Sequence, residues 1–108
     1  MKLYHITKEG NLESILQRGI LIGKQSHRKG IAVHGPLGQI YLTNDIDRIL
    51  KTQAGEAWCK RWKPIVFEID VSKIKYEPVK YHSGGTYVLS DFEYVVNENI
   101  CIEDIKLV

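Results

Sequence analysis

The chain has 108 residues, of which 44% are hydrophobic and 26% are charged, a balance typical of one folded domain. Its formal net charge of +2 is too small to indicate nucleic-acid binding by itself. No apolar run approaches the roughly 20 residues of a membrane helix, and the N-terminal residues lack the apolar region of a signal peptide. We therefore expect a single domain over residues 1–108, cytoplasmic, monomeric and without a membrane partner.

The charges are unevenly distributed along the chain. Residues 1–62 carry a balance of +5, whereas residues 63–108 carry a balance of −3. A basic half can attract a phosphate-bearing ligand, and it can equally be ordinary solvated surface. Both interpretations stay open at this point.

Strand and helix patterns alternate at the start of the chain. The alternation in Lys2–Ile6 predicts a strand. A helix of about two turns follows, with Leu12, Ile15 and Leu16 on one face and Gly19 at its end. The next segment, residues 23–38, is rich in glycine and basic side chains. It is predicted to be either a ligand-binding loop or a solvated surface loop.

Another strand and another helix precede the second half. Residues 39–43 have strand character, and Ile46, Ile49 and Leu50 then fall on one helical face that ends near Gly55.

The second half is dominated by strand patterns. Strands are predicted at 65–69, 76–79, 87–89 and 92–96, with a turn at 83–86, one helical turn at 102–105 and an extended end at 106–108. Because helices come early and strands late, the order favours an α+β fold over an alternating parallel sheet.

No common catalytic or metal-binding motif is present. The sequence lacks HExxH, GxSxG, GxxxxGK[ST] and GxGxxG, so metal, serine-hydrolase, P-loop and Rossmann chemistry lose their main support. Polar residues in otherwise apolar strands remain, namely His5, Tyr41 and Glu93. Each can be an outward-facing strand residue. Together they supply a base-capable ring, an aromatic platform and a carboxylate, a set suited to binding a nucleotide and stabilising positive charge.

Four segments, in chain order, resemble motifs of the ADP-ribosyltransferase-fold superfamily. Leu3–Thr7 and the helix after it resemble a strand ending in H-x-T followed by N-L-x-S-I-L-x-x-G-L. Ile40–Thr43 resembles the strand that carries a nicotinamide-stacking tyrosine. Phe67–Asp70 resembles the central strand, and Glu93–Val96 resembles the motif with the catalytic glutamate. The resemblance implies an ADP-ribosyltransferase-like split antiparallel β-sheet core, with two short helices near the N-terminal half.

The resemblance also implies roles for individual residues, with NAD as the substrate and no metal. His5 would bond the nicotinamide-side ribose, and the Thr7 hydroxyl would fix that strand end. Tyr41 would stack on nicotinamide. Glu93 would stabilise the cation that forms as nicotinamide leaves.

Further residues are implied at the periphery of the same site. Arg28 and Lys29, in the glycine-rich segment, are candidates for binding the adenylate and diphosphate part of NAD. Asp91, two residues before Glu93, is similar to the acidic residue that helps select the acceptor in some members. The acceptor would be a macromolecule, either nucleic acid or protein. From the size of the chain we expect a toxin, phage or bacterial defence protein.

Two branches of the superfamily are the nearest in motif. The H-I-T form at His5 is similar to that of DarT-type DNA ADP-ribosyltransferases, although those carry a different residue at the Tyr41 position. The tRNA 2′-phosphotransferases share the S-I-L-x-x-G-I helix but lack the catalytic glutamate. The resemblance therefore implies mono-ADP-ribosyl transfer from NAD, with a non-enzymatic NAD, ADP-ribose or nucleic-acid-end binding module and an RNA 2′-phosphotransferase-like activity as alternatives.

Overall fold

The computed structural model of the chain describes residues 1–22 and 39–108. These residues form six strands: β1 (Leu3–Lys8), β2 (Ile40–Thr43), β3 (Pro64–Ile69), β4 (Glu77–Ser83), β5 (Thr86–Val96) and β6 (Ile105–Leu107). They also form three α-helices: α1 (Leu12–Arg18), α2 (Ile46–Leu50) and α3 (Gln53–Arg61). Short 3-10 helices occupy Glu9–Asn11 and Ile102–Asp104. The α+β prediction is confirmed.

The strands make one antiparallel sheet in the order β4-β5-β2-β1-β3-β6. β1 and β3 pair along their whole length, from Leu3 opposite Ile69 to Lys8 opposite Pro64. β1 and β2, in contrast, are in register only at Tyr4 and Thr43. In the described sheet, β1 thus pairs with β3, and β2 with β5, over several residues, whereas β1 and β2 pair at a single position.

The core lies on one face of this sheet. Its fully buried members come from four strands and the segments flanking them, and the largest are Phe67, Leu3, Ile40, Leu42, Ile100 and Val96. Period-2 alternation explains this face, because every second residue of β1, β2 and β3 points the same way. α1 covers it with Ile15, whereas Leu16, predicted for the same helical face, is 53% exposed. A helix of seven residues presents only a narrow stripe to the sheet.

The prediction that a helix ends near Gly55 is wrong. Gly55 lies in the first turn of α3. The Thr52 side chain caps this helix by accepting a hydrogen bond from the Gly55 N–H at 3.0 Å. A Cβ at Gly55 would collide with the backbone carbonyl of Ile49 in α2. The glycine therefore marks close packing of two consecutive helices rather than a helix stop.

β4 and β5 form a long hairpin at one edge of the sheet. The predicted turn is confirmed, since Gly84 and Gly85 connect the strands with φ of +60° and +85°, as a type I′ turn requires. The separate strands predicted at 87–89 and 92–96 are one strand, β5, of 11 residues. Its register against β4 shifts between Pro78 and Lys80, which explains why the sequence pattern breaks there.

No helix within the two described stretches is long and apolar enough to cross a membrane.

Candidate functional site

Tyr41 and Glu93 lie on the same face of the sheet, on neighbouring strands. Thr43 of β2 is opposite Glu93 of β5, and partners in an antiparallel pair share a face. Tyr41 is two residues before Thr43 and so points to the same side. This side is opposite to the one carrying the buried Ile40 and Leu42. Both Tyr41 and Glu93 are partly buried.

His5 lies at the boundary between β1 and β2. Because Tyr4 is opposite Thr43, alternation gives His5 the opposite face from Tyr41 and Glu93. Its ring nevertheless reaches β2, with Nδ1 3.0 Å from the carbonyl oxygen of Tyr41. The His5 side chain thus bonds the main chain of β2 one residue after Tyr4, whose pairing with Thr43 is the described register between these strands. The structure brings His5 to the main chain of Tyr41, rather than to its ring.

The contact with Tyr41 sets the hydrogen-bonding roles of the imidazole. A carbonyl oxygen can only accept, so Nδ1 carries the proton and donates to it. In a neutral His5 ring, Nε2 is then the acceptor nitrogen. With Nδ1 donating to Tyr41, Nε2 of His5 becomes a second donor only when the ring is protonated.

The Tyr41 hydroxyl is linked to Gln39, the residue just before β2 begins. It donates to Gln39 Oε1 at 3.3 Å, which is long for an O–H···O bond. The Gln39 amide in turn donates to Asn97 Oδ1 at 2.8 Å. These contacts connect the hydroxyl end of Tyr41 to Asn97 through Gln39.

The backbone just before Glu93 is held by the residues that connect β2 to α2. The buried Thr43 hydroxyl donates to the Phe92 carbonyl at 2.7 Å and accepts from the Asp45 N–H at 3.0 Å. The Asn44 N–H also donates to the Phe92 carbonyl, at 3.1 Å, and its side-chain amide donates to the Asp91 carbonyl at 3.0 Å. The main chain leading into Glu93 is thus bonded at two successive carbonyls.

Asp91 lies at the surface beside this segment and pairs with a basic residue of α2. Arg48 Nη1 is 3.2 Å from Asp91 Oδ1, and the Asp91 side chain is 78% exposed. The same guanidinium lies over the Phe92 ring, 3.9 Å from its centroid. An exposed pair of this kind contributes little to stability. It places one positive and one negative group next to the segment that carries Glu93.

The remaining predicted residues fall in two places. The Thr7 hydroxyl accepts a hydrogen bond from the Asn11 side chain at 2.8 Å, which ties the end of β1 to the start of α1. Arg28 and Lys29, predicted to bind the adenylate and diphosphate part, lie outside the described residues. In the part of the chain that is described, no group of three or more His, Cys, Asp and Glu side chains is arranged to hold a metal ion.

Sequence reasoning did not identify the polar residues that hold the Glu93 backbone. Thr43 and Ser90 are the buried polar residues among those described, at 3% and 4% exposure. A signal for Ser90 was present, because it stands in the gap between the strand patterns ending at Leu89 and starting at Phe92.

The arrangement combines the partly buried carboxylate of Glu93, the aromatic ring of Tyr41 on the same face of the sheet, and the imidazole of His5 at the boundary between β1 and β2.

No protein-family model matches the chain, and no curated protein matches it significantly.

Proposed function

We propose that the protein is an NAD-dependent mono-ADP-ribosyltransferase that works as a cytoplasmic monomer. It would cleave the bond between nicotinamide and ribose and transfer ADP-ribose to a nucleic acid or a protein. The electron pair of the C–N bond leaves with nicotinamide, which departs neutral, and positive charge develops on the ribose. A nucleophilic oxygen or nitrogen of the acceptor then bonds C1′ and loses its proton.

The observation that carries the proposal is the adjacency of three residues chosen from the motif resemblance. His5, Tyr41 and Glu93 are 36 and 52 residues apart in sequence, yet they come from the adjacent strands β1, β2 and β5. Tyr41 and Glu93 share a face, and His5 bonds the Tyr41 carbonyl. Tyr41 and Glu93 thus share one surface, and His5, whose position in β1 gives it the opposite face, is linked to them through the Tyr41 main chain.

The opening of the sheet gives a second line of support. The resemblance implies a split antiparallel sheet, and β1 and β2 are in register at only one described pair, Tyr4 and Thr43. A gap between two strands exposes backbone and side-chain groups to a ligand without unfolding the core. The His5 ring lies at this gap.

The chemistry of each residue suits the reaction. A fixed carboxylate at Glu93 stabilises the positive charge that exists only as the glycosidic bond breaks, and so favours the transition state over the ground state. The Tyr41 ring offers a flat surface for nicotinamide at little entropic cost. The His5 ring, oriented by its bond to the Tyr41 carbonyl, is the type of group that bonds a ribose hydroxyl.

The proposal is tested by incubating the purified protein with NAD and measuring nicotinamide by chromatography. We expect release by the natural chain and loss of release in Glu93→Gln, with NAD binding retained by calorimetry. Glu98→Gln is the matched control, because Glu98 is exposed, just beyond the end of β5. Release that survives in Glu93→Gln would reject the role of this carboxylate.

The acceptor is identified by treating cell extract with the protein and labelled NAD, followed by mass spectrometry. Label on nucleic acid or on protein side chains supports the transferase and names its acceptor class. NAD binding without nicotinamide release from any acceptor would instead support a binding module. Consumption of a 2′-phosphorylated RNA together with NAD would support the phosphotransferase-like activity.

A further inference from the structure

β5 contains an irregularity immediately before Glu93. Pro78 of β4 is opposite Tyr94, but Lys80 is opposite Leu89. One residue of β4, Val79, therefore faces the four residues Ser90–Glu93 of β5. Such bulges bend a strand, leave extra residues outside the ladder and re-aim side chains, and they occur often next to active sites.

The Ser90 side chain occupies the inside of this bulge. Its Oγ accepts hydrogen bonds from the Phe92 N–H at 3.2 Å and the Glu93 N–H at 3.0 Å. Ser90 is 4% exposed. Backbone N–H groups away from water need an acceptor, and the buried Ser90 hydroxyl accepts from two of them at once.

The opposite side of the same segment is bonded to β2. Thr43 is the cross-strand neighbour of Glu93, and its hydroxyl donates to the Phe92 carbonyl. The main chain of Phe92 and Glu93 is thus held at its N–H groups from one side and at a carbonyl from the other. Removing the Ser90 hydroxyl would release the first set and leave the second intact.

We propose that Ser90 is a positioning residue for Glu93, which acts by fixing the bulge from which the carboxylate projects. This inference rests on the proposed role of Glu93 in breaking the glycosidic bond. It adds that the position of the carboxylate is set by one buried hydroxyl three residues earlier in the chain. Because an electrostatic contribution to catalysis depends on a fixed geometry, a displaced Glu93 would bind NAD and turn it over slowly.

The experiment compares Ser90→Ala with Ser90→Thr, which keeps a hydroxyl. We expect Ser90→Ala to lower kcat for nicotinamide release about 10- to 100-fold, the loss expected for a misplacement of the order of 1 Å. KM for NAD should change less than kcat, and Ser90→Thr should recover part of the rate. Ser83→Ala, at the exposed end of β4, is the matched control and should leave kcat unchanged.

A second comparison separates positioning from loss of folding. Ile69→Val removes one methylene from a core residue that is 3% exposed in β3, on the far side of β1. If Ile69→Val lowers Tm as much as Ser90→Ala does and lowers kcat equally, Ser90 has only a structural role and the proposal is overturned. An unchanged kcat in Ser90→Ala overturns it as well.

An NMR measurement distinguishes failure of this inference from failure of the proposed function. In carbon-13-labelled protein, Ser90→Ala should shift the Glu93 carboxyl resonance and speed amide exchange at Glu93, whereas Ser83→Ala should do neither. If the natural chain releases no nicotinamide, the enzymatic proposal fails, and these shifts still decide whether Ser90 positions Glu93. An unmoved Glu93 carboxyl resonance in Ser90→Ala overturns the inference whatever the activity.

Discussion

Thr43 and Glu93 face each other across β2 and β5, and the Thr43 hydroxyl donates to the carbonyl just before Glu93, that of Phe92, at 2.7 Å. A buried threonine therefore connects the start of α2, through the Asp45 N–H, to the backbone of the candidate site. This makes part of the folding stability and the geometry of the site depend on the same bonds.

Thr43→Val tests the energetic weight of this connection. The substitution keeps the shape of a buried side chain but removes the hydroxyl that donates to the Phe92 carbonyl and accepts from the Asp45 N–H, so we expect a loss of about 1–3 kcal/mol in the free energy of unfolding. Urea denaturation measures it. Thr86→Val is the control, since the Thr86 hydroxyl also bonds a carbonyl, that of Ser83, but at the surface. Equal losses in the two variants would show that burial does not matter here.

Gly55→Ala tests the close packing of α2 against α3. A methyl group at Gly55 would meet the backbone of Ile49 and Leu50, which cannot rotate away, so we expect a loss of about 2–3 kcal/mol. The matched substitution is Gly10→Ala, where a Cβ meets nothing within 4 Å, and there we expect a change between zero and a gain of about 1 kcal/mol. Thermal unfolding of both variants checks the difference, and a tolerated alanine at Gly55 would contradict the packing.

Two substitutions of Tyr41 distinguish the contribution of ring stacking to NAD binding from that of the hydroxyl group. The Tyr41 hydroxyl bond to Gln39 is long, so Tyr41→Phe should leave Kd for NAD within about 2-fold. Tyr41→Ala removes the ring and should raise Kd about 2- to 12-fold, the equivalent of 0.5–1.5 kcal/mol. Calorimetry with Tyr87→Ala, at an exposed tyrosine of the β4–β5 hairpin, serves as the control. Weaker binding by Tyr41→Phe than by Tyr41→Ala would reject the stacking role.

Asp70 gives a prediction about pH. The Ser72 backbone N–H donates to the Asp70 carboxylate at 3.0 Å, and this hydrogen bond, with the Ser72 side chain, holds the pKa of Asp70 below its ordinary value. Because the pKa is lower in the folded state, the ionised carboxylate stabilises the fold above the unfolded-state pKa. That stabilisation is lost as pH falls through the folded-state value.

The comparison is between Tm of the natural chain and of Asp70→Asn across a pH series. We expect the natural chain to be the more stable at neutral pH by a small margin, since Asp70 is exposed, and the two curves to converge in acid. A difference that is constant with pH would show that ionisation of Asp70 does not contribute.

Local patterns predicted most of the elements correctly. Alternating residues identified β1 and β3, and the pair Gly84-Gly85 identified the hairpin turn. Gly55 was misassigned, because a glycine that ends a helix and a glycine that lets two helices touch look alike in a single sequence. Leu16 was placed with the core residues, because helical spacing does not reveal how wide a stripe the sheet will cover.

The candidate site was predictable only as a set of residue types. His5, Tyr41 and Glu93 stand out as polar residues in apolar strands, and the motif resemblance orders them. The contributions of Thr43 and Ser90 were not predictable in the same way. The break in the strand pattern at Ser90 marks an irregularity, but the partners of a buried hydroxyl are known only once the strands are paired.

By itself, the sequence determined which segments become strands and which side of each strand is apolar, because both depend on a period of two residues within a short stretch. Only the tertiary structure decided that β2 lies between β1 and β5, that Tyr41 and Glu93 share a face, and that His5 reaches the Tyr41 carbonyl. These relationships depend on strand order and register. Both are set by pairing between residues far apart in the chain, and a one-residue slip would reverse every face.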